Sequence, residues 1–131
     1  MEVTKIEKKF RLSRYELVKY QLITDLVFFK KEQIADNDLE LLTWLGVTGP
    51  IDLTKFCNFI VKQNHKDIEP EEFAVKSQNV RNKLTKLEKR KLVVKSDTYK
   101  KMIQLSTAIT VHSKGNVLLD YKFLSVETSQ A

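Results

Sequence analysis

Positively charged side chains are concentrated in one segment of this sequence, between Lys76 and Lys101. Ten lysines and arginines lie there against two acidic residues, Glu88 and Asp97, so the segment carries a formal charge of +8. Because the whole chain of 131 residues carries +6, the remaining residues sum to −2. Positive charge localised in this way indicates a localised anionic partner better than a general contribution to solubility. The chemistry that this segment offers is the binding of duplex DNA or another polyanion.

Amide side chains are interspersed among the first of these cations. Asparagine and glutamine can form paired hydrogen bonds with adenine N6 and N7, whereas lysine and arginine bind phosphates or guanine. The candidate nucleic-acid-binding residues are therefore Gln78, Asn79, Arg81, Asn82, Lys83, Lys86, Arg90, Lys95, Lys100 and Lys101. Each of them singly is better explained as part of a solvated helix face or a charged hairpin. Taken together, the ten lysines and arginines between Lys76 and Lys101 favour anion binding.

Residues that could support catalysis or bind a metal are few and separated. The sequence has no glycine-rich phosphate loop and no nucleophile motif. Its two histidines, His65 and His112, lie far apart in the sequence, so we expect no zinc site. Glu69, Glu71 and Glu72 fall at the start of a predicted helix, where they complement the helix dipole rather than form a general-acid pair. We therefore expect no enzymatic activity and no cofactor.

The composition is that of a single folded domain over residues 1–131, large enough to bury a core without disulfides. The only cysteine, Cys57, lies in an apolar run and is expected in the core, since a small secreted domain would usually carry several cysteines. Trp44, Phe56 and Phe59 are likewise expected to be core residues rather than a stacking platform. No apolar run approaches the length of a membrane span, and the first residues are polar. These features predict a cytoplasmic protein that does not bind membranes.

Cap signals predict the starts of the early helices. They are Ser13-Arg14-Tyr15-Glu16, Asn37-Asp38-Leu39-Glu40, and Asp52. Gly46 or Gly49 is expected to end the second helix, because glycine readily adopts the left-handed backbone of a helix C-terminus.

The sequence next predicts a short helix from Pro70. It then predicts a new helix, capped by Ser77, that runs from Gln78 to about Lys91. In that second helix Val80, Leu84 and Leu87 fall at i, i+4 and i+7 and should face the core. Residues 92–94 and 102–105 predict a β-hairpin, and residues 2–12 and 117–126 predict two flanking strands.

This order of elements, with the sequence Ser77 to Val93, resembles the recognition helix and first wing strand of winged-helix regulators. The ending Leu84-Thr85-Lys86-Leu87-Glu88-Lys89-Arg90-Lys91-Leu92 is similar to their Leu-x-x-Leu-Glu-Lys-x-x-Leu pattern, although Lys91 stands where a glycine is usual. The resemblance implies an α+β fold with a winged-helix core over about residues 38–105. It also implies that the N-terminal end of the recognition helix, with Gln78 and Asn79, enters the major groove.

The whole chain is also similar to small proteins encoded by tailed bacteriophages, including crAss-like phages. This second resemblance rests on the charged first strand, the leucine-rich early helix and the final Gly115-Asn116-Val117-Leu118-Leu119-Asp120-Tyr121-Lys122-Phe123 segment. Two functions therefore stay open. One is a nucleic-acid-binding protein of transcription or replication. The other is a structural or adaptor component of a virion (head, portal or tail), in which edge strands join protein partners or further copies of the chain.

Overall fold

A computed structural model describes residues 13–96 and 101–112 of the chain. In these residues the elements are α1 (Arg14–Leu22), a π-helix (Ile23–Phe29), α2 (Asp36–Thr48), β1 (Ile51–Asp52), α3 (Leu53–Asn64), α4 (Pro70–Lys89), β2 (Val93–Lys95) and β3 (Met102–Leu105). The three strands form an antiparallel sheet in the order β1-β3-β2. The fold class is therefore α+β, as predicted. The two predicted flanking strands, at 2–12 and 117–126, lie outside the described residues.

Helix α1 begins with the predicted capping box. The backbone N–H of Glu16 donates to Ser13 Oγ at 3.1 Å, and the backbone N–H of Ser13 donates to Glu16 Oε1 at 3.3 Å. The helix continues without a break into the π-helix, which ends at Phe29. Inward-facing Val18, Leu22 and Leu26 are fully buried along this continuous rod, so its two parts pack on one core.

Helix α2 begins earlier than its cap signal predicts, and the expectation that Asn37 caps it is wrong. The N-cap is Ala35, whose carbonyl already accepts from the N–H of Leu39 at 2.9 Å. Asp36 and Asp38 in the first turn favour this start, because negative charge complements the positive end of the helix dipole. The helix ends at Gly49, which has a φ of 72°. Gly49 is one of the two glycines predicted to end it.

Strand β1 has two residues and was not predicted from the sequence, because so short a strand has no readable alternation. Its Ile51 pairs with Ile103 of β3. The next residue, Asp52, is the predicted cap of α3, and its Oδ1 accepts from the N–H of Lys55 at 3.1 Å. The strand therefore links the α2–α3 connection to the hairpin formed by β2 and β3.

Helix α4 is continuous over 20 residues, which overturns the prediction of two helices separated at Ser77. Pro70 occupies the first turn with Glu71 and Glu72, and both features favour helix initiation there. Ser77 lies inside the helix, and its hydroxyl oxygen lies 3.4 Å from Asn58 Oδ1 on α3. Because the backbone around Ser77 is already paired in the helix, its hydroxyl bonds to a neighbouring helix instead of capping a new one.

The C-terminus of α4 closes with a Schellman motif. The N–H of Leu92 donates to the carbonyl of Leu87 at 3.1 Å, and the N–H of Lys91 donates to the carbonyl of Glu88 at 2.9 Å. Lys91 has a φ of 64°, the left-handed conformation that glycine adopts more easily than lysine. The residue that departs from the winged-helix pattern thus occupies a position where glycine is expected on physical grounds.

We expect Lys91→Gly to raise the free energy of unfolding by up to about 1 kcal/mol, because relief of the left-handed strain of a non-glycine residue outweighs the added flexibility of the unfolded chain. Urea denaturation of both proteins measures the change. Lys89→Gly is the matched control, since Lys89 has helical backbone geometry and glycine there should destabilise by about 1 kcal/mol. A loss of stability in Lys91→Gly would contradict the assigned role of the turn.

The core lies between the four α-helices and the inner face of the sheet. The predicted inward positions of α4 are confirmed for Leu84 and Leu87, which are 2% and 1% exposed, while Val80 packs against the core and is partly buried. Phe56 and Cys57 are fully buried, as expected. Trp44 and Phe59 are partly buried and pack edge to face, with ring centroids 5.2 Å apart.

A buried glutamine holds the segment that follows β3. Gln21 of α1 is 8% exposed, and its Oε1 accepts from the N–H of His112 at 2.8 Å. The Nε2 of Gln21 donates to the backbone carbonyl of His112 at 2.6 Å. The amide therefore pairs with the backbone of His112 as a neighbouring strand would. Within the described residues, no helix has the length and hydropathy needed to cross a membrane.

Candidate nucleic-acid interface

The solvent-facing side of α4 presents amide and ammonium groups together. At 100° per residue, positions three, four and seven apart fall on the same side of a helix. Among the exposed residues that share this side, we call Gln78, Asn79, Asn82, Lys83, Lys86 and Lys89 the α4 face. Since the helix has no acidic residue between Glu72 and Glu88, the α4 face has a positive potential along its length.

Two members of the α4 face are bonded to each other. Gln78 Nε2 donates to Asn82 Oδ1 at 2.9 Å, an i, i+4 pair on the exposed surface. The bond uses one donor of the glutamine and one acceptor site of the asparagine. The pairing leaves Gln78 Oε1 as an acceptor and Asn82 Nδ2 as a donor, together with the second N–H of Gln78 Nε2 and the second lone pair of Asn82 Oδ1.

Arg81 lies at the edge of α4 that adjoins α3, rather than on the α4 face. Its side chain is partly buried, and Nη2 donates to Thr54 Oγ1 at 3.2 Å. The same edge contains Cys57, where burial raises the pKa of the thiol while the nearby Arg81 charge opposes that rise. Arg81 therefore helps to fix α4 against α3.

Arg90, at the C-terminal cap of α4, is engaged with the segment that precedes α2. Its Nη2 lies 3.2 Å from Glu32 Oε2 and donates to the carbonyl of Gln33 at 2.8 Å. The ion pair is on the surface and contributes little stability by itself, but the second hydrogen bond fixes the direction of the guanidinium group. A ligand that requires Nη2 of Arg90 would have to break these contacts.

The predicted wing residues lie beside α4, but their positions are described only in part. Lys95 ends β2, and its Nζ lies 4.0 Å from Glu88 Oε1. Lys101 immediately precedes β3, and its side chain is exposed. Lys100 lies outside the described residues. Of the described wing residues, Lys95 therefore lies next to the C-terminal half of α4, where Glu88 offsets part of its charge.

The N-terminus of α4 differs from the predicted recognition helix. Because the helix begins at Pro70, Gln78 and Asn79 are its ninth and tenth residues, about two turns from the start. The first turn instead carries exposed Glu71 and Glu72. These carboxylates would repel phosphates, so contact of the amides with a duplex requires the middle of α4 to approach it.

Lys89 and Val75 are exposed on the same side of α4 and were not among the predicted site residues. Lys89 lies seven positions after Asn82, and Val75 lies seven positions before it, with 61% of its surface exposed. Had one helix been predicted from Pro70 onward, helical spacing would have placed both residues on this side of it. The break predicted at Ser77 separated Val75 from the α4 face.

Within residues 13–96 and 101–112, no three His, Cys, Asp or Glu side chains are grouped so that they could hold a metal ion. No model of a protein family matches the sequence, and neither a curated protein nor a solved structure shows detectable similarity to it.

Proposed function

We propose that the chain is a non-enzymatic winged-helix protein that binds duplex DNA through the α4 face and the adjoining hairpin. Support for the winged-helix part comes from the order of elements, in which the α3–α4 pair is followed directly by the β2–β3 hairpin. β1 joins the hairpin to the α2–α3 connection, so helices and wing form one unit. A role in transcription or replication would use this unit as a DNA-binding module.

The observation that carries the proposal is the composition of the α4 face. Three lysines supply charge for the phosphate backbone, and three amides supply the donors and acceptors that base edges recognise. All six side chains are exposed and lie on one side of a single helix. A merely solvated helix would more commonly mix acidic residues among its lysines.

The test is the salt dependence of binding to a duplex, measured by fluorescence anisotropy with a labelled oligonucleotide. Each phosphate contact releases condensed counterions, so log K should fall linearly with log salt by about 0.9 per contact. We expect a slope that corresponds to several contacts. Absence of binding at low salt would reject the proposal.

A second candidate function is favoured by the start of α4, where exposed Glu71 and Glu72 lie next to exposed Val75. An acidic turn beside an apolar residue suits a protein partner better than a phosphate backbone, which fits a structural or adaptor component of a tailed-phage virion. On that reading, Gln78→Ala and Asn79→Ala leave DNA binding unchanged. Charge reversal on the α4 face would then disrupt an oligomer, visible by size-exclusion chromatography with light scattering.

A further inference from the structure

We propose that the α4 face selects A·T base pairs in the major groove, with the bonded pair Gln78–Asn82 contacting adenine and Val75 contacting the thymine methyl group. This inference rests on the proposed DNA-binding function and deepens it. It names the base pair that is read and the side chains that read it.

The first argument is the match of hydrogen-bonding groups. The Gln78–Asn82 bond of 2.9 Å leaves Gln78 Oε1 as an acceptor and Asn82 Nδ2 as a donor on the exposed side of α4. Adenine presents the complementary pattern in the major groove, a donor at N6 and an acceptor at N7. Guanine presents two acceptors, O6 and N7, and no donor on this edge, so Gln78 Oε1 would have no partner on it.

The second argument is that the pair is already ordered. A free glutamine side chain loses rotamer freedom when it binds a base, which weakens the contact. The hydrogen bond between Gln78 and Asn82 holds both amides before a ligand arrives. The two residues therefore act as one reading unit rather than as independent contacts.

The third argument is the position of Val75. It precedes Gln78 by three residues and Asn82 by seven, so the three lie in one stripe along the solvent side of α4. Val75 has 61% of its surface exposed, so its methyl groups are accessible to a ligand. Thymine carries its methyl group on the same major-groove edge as the N6 and N7 groups of the paired adenine, where an apolar side chain can contact it.

The fourth argument concerns guanine, whose commonest protein contact is an arginine. Within the described part of α4 and its C-terminal cap, both arginines are engaged elsewhere. Arg81 donates to Thr54, and Arg90 donates to Gln33 and pairs with Glu32. A guanine contact from α4 would therefore have to come from the lysines of the α4 face, which the proposal assigns to phosphates.

The experiment compares binding of the full chain to two short duplexes of equal length, one of A·T pairs and one of G·C pairs, at the same salt concentration. We expect the A·T duplex to bind about tenfold more tightly, equal to about 1.4 kcal/mol. Two modified A·T duplexes identify the contacts. Replacing adenine by 7-deazaadenine removes N7, and replacing thymine by uracil removes the methyl group, so each should weaken binding several-fold.

The variant Gln78→Ala/Asn82→Ala should no longer distinguish adenine from 7-deazaadenine, while it keeps the effect of uracil, which Val75 determines, and the salt dependence of the wild type. Gln63→Ala, which removes an exposed amide at the end of α3, is the matched control and should keep the A·T preference. Equal binding of the two duplexes by the wild type, or a preference unaffected by 7-deazaadenine, overturns the inference and leaves DNA binding standing. Failure to bind either duplex rejects the proposed function and this inference together.

Discussion

Leu84→Ala should lower the free energy of unfolding by about 2–5 kcal/mol, the range for deleting a buried leucine side chain. Leu84 is 2% exposed and belongs to the core cluster with Leu87 and Phe56. The substitution removes three heavy side-chain atoms and leaves a cavity among neighbours that belong to other helices. The cost should be near the upper end of the range if those helices do not close the gap. Urea or thermal denaturation followed by circular dichroism measures it.

The control for this prediction is Val75→Ala in the same helix. Because 61% of Val75 is exposed, its truncation should change stability by no more than about 0.5 kcal/mol. Equal effects of the two substitutions would mean that the inward side of α4 is assigned incorrectly. They would also mean that the α4 face is not the solvent side of the helix.

The sequence predicts those elements whose signals are local. The capping box at Ser13, the cap at Asp52 and the stop at Gly49 each involve hydrogen bonds or backbone angles within a few residues. The burial of Leu84 and Leu87 follows from helical spacing and does not depend on where the helix begins. These features therefore agree with the structure although the start of α4 was predicted wrongly.

The incorrect predictions share a physical cause. A serine or asparagine has the same hydrogen-bonding groups whether it caps a helix or contacts another element, and only the tertiary structure decides between them. Ser77 contacts Asn58 on α3, and Asn37 lies in a first turn that starts from Ala35. The π-helix has no sequence signal of its own that we could identify.

The candidate site was predicted in composition but not in geometry. The amides and lysines of the α4 face were identified from charge and residue type alone. Arg81 and Thr54 are separated by 27 positions in the sequence, and Arg90 and Glu32 by 58. No local pattern could therefore indicate these contacts. These contacts join both arginines to other elements, whereas no local pattern distinguishes them from the exposed lysines of the α4 face.

Lys83→Glu/Lys86→Glu should weaken binding to any duplex about thirtyfold at 0.15 M salt, from counterion release alone. Each phosphate contact contributes a factor of about 5.5 at this salt concentration, given a slope of about 0.9 per contact. Both lysines are exposed members of the α4 face, so their replacement should remove two contacts without loss of core packing. The slope of log K against log salt should therefore become less steep by about 1.8. Repulsion between the new carboxylates and the phosphates will increase the loss of affinity further.

The matched control is Arg14→Glu/Lys19→Glu, which changes the net charge by the same amount at two positions on α1. If the α4 face binds the duplex, the control variant should keep the wild-type slope and lose little affinity, because charges farther than about 8 Å from the phosphates are largely screened at 0.15 M salt. Equal losses in the two variants would show that net charge, rather than the α4 face, determines binding. An unchanged slope in Lys83→Glu/Lys86→Glu would place the phosphate contacts elsewhere on the protein. Because Gln78, Asn79 and Asn82 lie on the same side of α4 as these lysines, that outcome would also remove the geometric basis for base contact by the three amides.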